Sequence, residues 1–327
     1  MLKDRSILVT GGAGFIGSHL VERLLENNEV TVFDNFSSGK REFLAPHRQN
    51  PNFHLQEADL LDPDALKQAL LDKDIVFHVA ANPDVKLGAA DTRIHVDQNI
   101  LATHSLLEAM RKAGVGKIAF TSTSTIYGEA DVVPTPEDYG PLKPISLYGA
   151  SKLSCEALIS SYCHTFEMQS WIYRFANIVG ERGTHGVLVD FIRKLKQNPK
   201  ELEILGSGKQ RKSYLEVKDC VQAMIHCVEN SQEETNIFNI GSDDSIDVTG
   251  IADITAEKMK LPGVKYRYTG GVGGRGWKGD VKIMQLSIEK IKRLGWTPKR
   301  NSTEAIEAAV ESLLKDMNKV ASVSRGI

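Results

Sequence analysis

Tyr148 and Lys152, in Tyr148-Gly149-Ala150-Ser151-Lys152, are four residues apart. On a helix that spacing sets a phenol and an ammonium on one face. A phenol with an ordinary pKa of about 10 is a poor base at neutral pH, and a neighbouring ammonium favours its ionised form. Such a pair suits proton removal from an alcohol. A hydroxyl-rich run, Thr121-Ser122-Thr123-Ser124-Thr125, leads into Ile126-Tyr127-Gly128 just past a strand-like stretch. Hydroxyls at the carboxyl end of a parallel strand face the crevice where ligands bind, and one of them can hydrogen-bond an oxygen that loses its proton.

A second chemical feature lies near the start. Thr10-Gly11-Gly12-Ala13-Gly14-Phe15-Ile16-Gly17 follows one strand-like run and opens a helix-like one, with Gly11, Gly14 and Gly17 as G-x-x-G-x-x-G. Glycines in that setting allow a tight turn and close backbone approach to a pyrophosphate, which rests on the helix N-terminus. Asp34 ends the next strand-like run, 20 residues past Gly14. An acid there bonds the ribose hydroxyls and repels a 2'-phosphate, so the expected cofactor is NAD rather than NADP. Lys40 and Arg41, a few residues on, work against that preference.

These groups need a frame that points them at one crevice. Ile7-Leu8-Val9, Val30-Thr31-Val32-Phe33, Ile75-Val76-Phe77 and Ile118-Ala119-Phe120 are continuous β-branched or aromatic runs of strand length. Ile16, Leu20 and Leu24 recur at helical spacing between the first two, and residues 97–113 repeat the habit. Alternating strands and helices, with strands apolar on both faces, predict a Rossmann-type doubly wound parallel sheet in an α/β fold. Beyond residue 180 the rhythm changes. A smaller C-terminal substrate-binding lobe is expected over 181–327, against a dinucleotide-binding domain over 1–180 to which about 214–240 returns. Residues 270–279 read as a loop, and 302–318 as the last helix before a frayed tail.

Composition removes several classes of function. The chain has 327 residues, 41% hydrophobic and 25% charged, an ordinary globular balance with room for two lobes. With 40 Lys and Arg against 42 Asp and Glu, the net charge is -2, which gives no basic field for nucleic acid. No apolar run reaches membrane-spanning length, and Met1-Leu2-Lys3-Asp4-Arg5 runs straight into the first strand pattern with no room for a signal peptide. Cys155, Cys163, Cys220 and Cys227 form no C-x-x-C pair and suit buried thiols in a reducing, cytoplasmic setting. The nine His show no metal-ligand spacing, so neither a metal nor a His-based triad is expected.

The whole chain resembles the extended short-chain dehydrogenase/reductases, in the NAD-dependent sugar epimerase/dehydratase family. The markers are TGGAGFIG, Asp34-Asn35, Ala58-Asp59-Leu60, His78-Val79-Ala80-Ala81, Asn99, S-T-S-T-I-Y-G, YGASK and Arg174-Phe175-Ala176-Asn177-Ile178-Val179-Gly180. The resemblance implies Tyr148 as general base, Lys152 as its partner on the nicotinamide ribose and Thr123 as the catalytic hydroxyl. It implies NAD contacts from Gly11, Gly14, Phe15, Ile16, Gly17, Asp34, Asn35, Asp59, Leu60, Ala80, Ala81 and Asn99. Asn177 then meets the diphosphate or sugar of a UDP-sugar. Gly206-Ser207-Gly208-Lys209-Gln210-Arg211-Lys212-Ser213-Tyr214 is similar to a family segment with Arg at the Lys212 position and Asp at the Ser213 position. Either Arg211 or Lys212 is left to bind the diphosphate. Arg275 and Asp280, in RGWKGD, are similar to a late Arg and Gly-Asp, with the Arg shifted from its commonest spacing.

The implied reaction is a nucleotide-sugar 4-epimerisation of the UDP-glucose/UDP-galactose type through a transient 4-keto sugar, in a homodimer formed by helices near 97–113 and 150–166. The alternatives are a 4,6-dehydratase or decarboxylase on the same scaffold, or a non-catalytic dinucleotide sensor. The Thr-Tyr-Lys set argues against the sensor. Dehydratases of the family carry an Asp-Glu pair after the catalytic Thr; here Ser124 and Thr125 follow Thr123, and Glu129 falls in the next loop.

Overall fold

The computed structural model describes residues 2–323. Seven parallel strands form its central sheet: β1 (Ser6–Thr10), β2 (Glu29–Asp34), β3 (Phe53–Glu57), β4 (Ile75–His78), β5 (Lys117–Thr123), β6 (Gln169–Phe175) and β7 (Thr235–Ile240). Their spatial order is β7-β6-β5-β4-β1-β2-β3. The winding reverses between β1 and β4, whose last residues, Thr10 and His78, are register partners. In open α/β sheets, ligands bind in the crevice at the carboxyl ends beside such a reversal.

Period-two alternation divides the core into two layers. Ile7 and Val9 face one side with Leu20, Val21 and Leu24 of the helix Phe15–Leu24 and with Met224 of the helix Val217–Asn230. Leu8, Val76 and Phe120 face the other side with Leu106, Leu107 and Met110 of the helix Ala102–Ala113 and with Cys155 and Ile159 of the helix Leu147–Phe166. Each fully buried Leu or Ile contributes about 1.5–3 kcal/mol relative to leaving it exposed. Burial on both faces is why these strands read as unbroken apolar runs. β3 escapes that signature: Phe53-His54-Leu55-Gln56-Glu57 is a half-exposed edge strand.

A third cluster builds the smaller lobe from the helices Val187–Gln197, Val248–Lys258 and Ser302–Val323 and the strand pair Glu201–Ile204 with Lys265–Tyr268. Between helix and strand of that lobe the chain returns to the main sheet, because β7 pairs with β6 along its whole length. The last helix passes the expected end at 318 and runs to Val323; residues 324–327 lie outside the described ones. The helix predicted over 97–113 has two parts. Val96–Leu101 is π-helical and Ala102–Ala113 is α-helical.

Candidate active site

The glycine loop ties the ends of β1 and β2 together. Gly11 N–H donates to the Phe33 carbonyl at 2.9 Å. Gly11 has φ +70°, and a Cβ there would lie 2.6 Å from Ala80 Cα; one on Gly17 would lie 2.1 Å from the Gly11 oxygen. Only glycine allows this stack of turn, helix start and β4 end. No side chain caps the helix Phe15–Leu24, so its first N–H groups are free to meet an anion. Asp34 is buried; its Oδ2 accepts from Ala13 N–H at 2.9 Å and its Oδ1 from Phe36 N–H at 2.8 Å. Burial pushes this carboxyl above its ordinary value despite those bonds. Asn35 donates to Asp59 Oδ2 at 2.7 Å, and buried Leu60 lies beside them. Arg41 stacks over Phe36 at 4.0 Å and pairs with Glu57 at 2.5 Å, so its charge is already engaged.

The far wall of the crevice is a hydrogen-bonded chain. Thr10 Oγ1 lies 2.8 Å from His78 Nδ1 and accepts from Ala80 N–H at 3.3 Å, beside Ala81; His78 Nε2 lies 3.0 Å from Thr103 Oγ1. Burial pushes His78 down to about 3, so it is neutral at physiological pH. Asn99 Oδ1 accepts from Asn82 N–H at 2.8 Å, and its Nδ2 donates to Ser151 Oγ at 2.9 Å. Ser151 Oγ in turn donates to the Tyr148 carbonyl at 2.8 Å. Asn99 thus fastens the end of β4 to the helix that carries Tyr148 and Lys152.

That helix, Leu147–Phe166, starts on Ser146, whose hydroxyl accepts from Gly149 N–H at 3.1 Å. Tyr148 stands in its first turn, and His95 meets its ring edge-on at 5.7 Å. Lys152, one turn on, is 2% exposed and donates to the Thr121 carbonyl at 2.7 Å. Burial lowers Lys152 to about 8. Thr123 closes β5; its Oγ1 accepts from Thr125 N–H at 3.2 Å and lies 3.2 Å from Thr125 Oγ1. One expectation changes here. Burial, with Cys155 adding to it, holds the Tyr148 proton more tightly than in water. Lys152 directs its hydrogen bond at Thr121 and none at the phenol, so the spacing alone does not lower the Tyr148 pKa.

The smaller lobe brings a second group of residues. Asn177 opens a short strand, Asn177–Val179, and its Nδ2 is buried without a partner. Neighbouring residues on the strand Arg211–Lys212 point to opposite sides. Arg211 is exposed and donates to Ser245 Oγ at 3.0 Å and to the Ser245 carbonyl at 2.8 Å. Lys212 turns inward to Asp280 at 2.6 Å. Asp280 is buried and also accepts from Gly276 N–H at 3.1 Å. Arg275 pairs with Glu129, which follows the Tyr127-Gly128 turn. Among the described residues no group of His, Cys, Asp or Glu is placed to hold a metal ion.

A family model for the NAD dependent epimerase/dehydratase family matches residues 7–241. The chain belongs to that family. It is 42% identical to a crystal structure of UDP-galactose 4-epimerase over 95% of this chain and 99% of that one, with a TM-score of 0.84. UDP-glucose 4-epimerase of Corynebacterium glutamicum is 31% identical over 319 residues, 92% of this chain and 93% of that protein. DesIV, a dTDP-glucose 4,6-dehydratase from Streptomyces venezuelae, is 26% identical with a TM-score of 0.88, over 96% of this chain and 98% of that one. The fold of this family therefore fits an epimerase and a dehydratase equally well, and side chains must separate them.

Several participants carried no sequence signal. Thr10, Thr103 and Ser151 are ordinary hydroxyls until the sheet sets them beside His78 and Asn99. His95 is a lone histidine whose place against Tyr148 is tertiary. Glu129 was legible as a loop carboxylate, but its partner Arg275 lies 146 residues away.

Proposed function

We propose that this chain is an NAD-dependent UDP-sugar 4-epimerase. The observation that carries the reading is the state of the carboxylates around Thr123. A 4,6-dehydratase needs an acid and a base beside the C5–C6 bond. Here the two residues after Thr123 are Ser124 and Thr125, and the nearest following carboxylate, Glu129, is bound to Arg275. Glu156 is buried against Arg174 at 2.8 Å and accepts from Ser122, and Glu137 accepts from Asn239 N–H at 2.9 Å. None of these carboxylates is free for elimination chemistry.

The turn of Gly11, Gly14, Phe15, Ile16 and Gly17 fits a pyrophosphate, since glycine at 11 and 17 lets the loop close on Ala80 while the helix it opens has no side-chain cap on its first N–H groups. Asp34 is the acid for the adenosine ribose, with Asn35, Asp59 and Leu60 on the adenine side. Ala80, Ala81 and Asn99 line the route to the nicotinamide. Bound NAD supplies the acceptor and donor of hydride. Tyr148 accepts the proton of the sugar 4-hydroxyl, Thr123 hydrogen-bonds that oxygen, and Lys152 holds the nicotinamide ribose. Burial raises the Tyr148 pKa, and Lys152 together with the positive nicotinamide ring would favour the phenolate once NAD is bound. Asn177 and Lys212 face the diphosphate, with Asp280 fixing Lys212. Arg211, bound to Ser245 on the outside, is the weaker candidate.

The relatives named UDP-galactose and UDP-glucose 4-epimerase support the substrate class. A homodimer through the helices near 97–113 and 150–166 is part of the same reading, supported by Leu101 and Phe166, each 43% exposed there. Four buried free cysteines support a cytoplasmic setting. The test is incubation with UDP-glucose and UDP-galactose in deuterated water, read by mass spectrometry and NMR. The expected product is the C4 epimer, unchanged in mass and free of deuterium at C5. A product lighter by one water, or deuterium at C5, overturns the reading.

A further inference from the structure

The crossover after β4 carries a cation that the reading above does not use. Asp84 accepts with Oδ1 from the N–H groups of Lys86 and Leu87, at 2.9 and 3.1 Å. Its carboxylate is thereby engaged with backbone and not with the Lys86 side chain. The exposed Lys86 ammonium instead lies 4.4 Å from the ring centroid of Trp277, in the glycine-rich loop of the smaller lobe. Lys212 approaches the same indole at 5.7 Å. That loop also rests on the start of the Tyr148 helix, because a Cβ on Gly279 would meet the Ile145 carbonyl at 3.1 Å. The three side chains therefore meet where the sheet's crossover, the active-site helix and the smaller lobe come together.

This cluster has a surplus of donors. Lys86 and Lys212 bring two ammoniums, and Trp277 Nε1–H is buried without a partner. Asp280 is the carboxylate within reach, and it serves Lys212 and the Gly276 N–H. A buried donor without an acceptor is destabilising. An anion rich in acceptor oxygens would satisfy the set. Arg275 is not available for this, being paired with Glu129.

We propose that Lys86 is a substrate-binding residue that closes on the diphosphate of a nucleotide sugar from the side of the main sheet, with Trp277 holding it opposite Lys212. The proposal rests on the nucleotide-sugar reading above. It makes diphosphate recognition a contact of both lobes.

The experiment compares wild type, Lys86→Ala, Lys86→Arg and Trp277→Phe, each holding NAD, by calorimetric titration with UDP and with uridine at two salt concentrations. Lys86 is exposed, so its replacement is expected to leave the melting curve unchanged. The expected result is UDP affinity down about 10-fold or more in Lys86→Ala, in line with a charged hydrogen bond. Uridine affinity is expected to be unchanged. Lys86→Arg recovers most of the loss, Trp277→Phe shows part of it, and the salt dependence of UDP binding is shallower in Lys86→Ala. For the reaction, KM rises more than kcat falls. UDP bound equally well by wild type and Lys86→Ala overturns the proposal, as does an equal loss of uridine, which would make Lys86 a fold contact. A wild type that binds UDP through Lys86 yet does not epimerise UDP-sugars overturns the proposed reaction and leaves the Lys86 contact standing.

Discussion

Tyr148 is half-buried, unlike the fully buried phenols Tyr127 and Tyr173, and its neighbours give it a role. Tyr127 is held by Asn239 at 2.8 Å and Arg174 at 2.9 Å, and Tyr173 by the Met224 carbonyl at 2.8 Å. Among the described residues the Tyr148 hydroxyl has no such bond. Tyr148→Phe should therefore keep the fold and NAD while epimerisation falls at least ~10²-fold, the lower end of general-base effects. Turnover near that of wild type would remove Tyr148 from the chemistry. Asp34 offers a second test. Its carboxylate is fixed by two backbone N–H groups, and Arg41 is committed to Glu57. Asp34→Ser should weaken NAD about 10-fold, the worth of a charged hydrogen bond, and narrow the gap to NADP. An unaltered ratio of the two affinities would reduce Asp34 to a clamp on the glycine loop. The sequence made these residues legible because glycine spacing and Y-x-x-x-K are local. Lys86 and Trp277 were not legible, since they lie 191 positions apart and meet only in space.

At the scale of elements, the strand ends act as positioning devices. His78 ends β4 and joins β1 through Thr10 to the helix Ala102–Ala113 through Thr103. Its folded value of about 3 lies far below the unfolded value near 6.5. The unfolded chain takes up a proton below pH 6.5 that the folded chain refuses until about pH 3, so stability from this group falls as pH drops through that window. Urea denaturation should show wild type losing its advantage over His78→Asn between pH 7 and pH 5. A constant difference across those pH values would mean that His78 titrates normally in the folded protein. β1, β2, β4 and β5 were legible from runs apolar on both faces, and β7 from Ile237-Phe238-Asn239-Ile240. β3 hid because an edge strand needs no such run, and the π-helical start at Val96 hid because helical periodicity does not show how many residues make each turn.

For the whole molecule, the two helices beside β5 carry the expected subunit contact. Val96, Leu101 and Phe166 are each 43% exposed. Analytical ultracentrifugation should give twice the chain mass of 36.1 kDa for wild type and the chain mass for Leu101→Asp/Phe166→Asp. A wild type sedimenting as a single chain would rule this pairing out. The change of rhythm after residue 180 suggested a boundary with about 214–240 returning across it, and β7, within that segment, pairs with β6.

The return of β7 to the edge of the sheet bears on how such a protein can change its substrate. Phe238 and the helix Val217–Asn230 cover Trp171 and Tyr173 of β6. A gene fragment ending at residue 180 would leave β6 as a bare, aromatic sheet edge, a template for aggregation. The smaller lobe is therefore no cassette to be exchanged whole between relatives. The loop bearing Trp277, which rests on Ile145 just before the Tyr148 helix, can vary without touching that sheet edge, while the chain that crosses between lobes cannot.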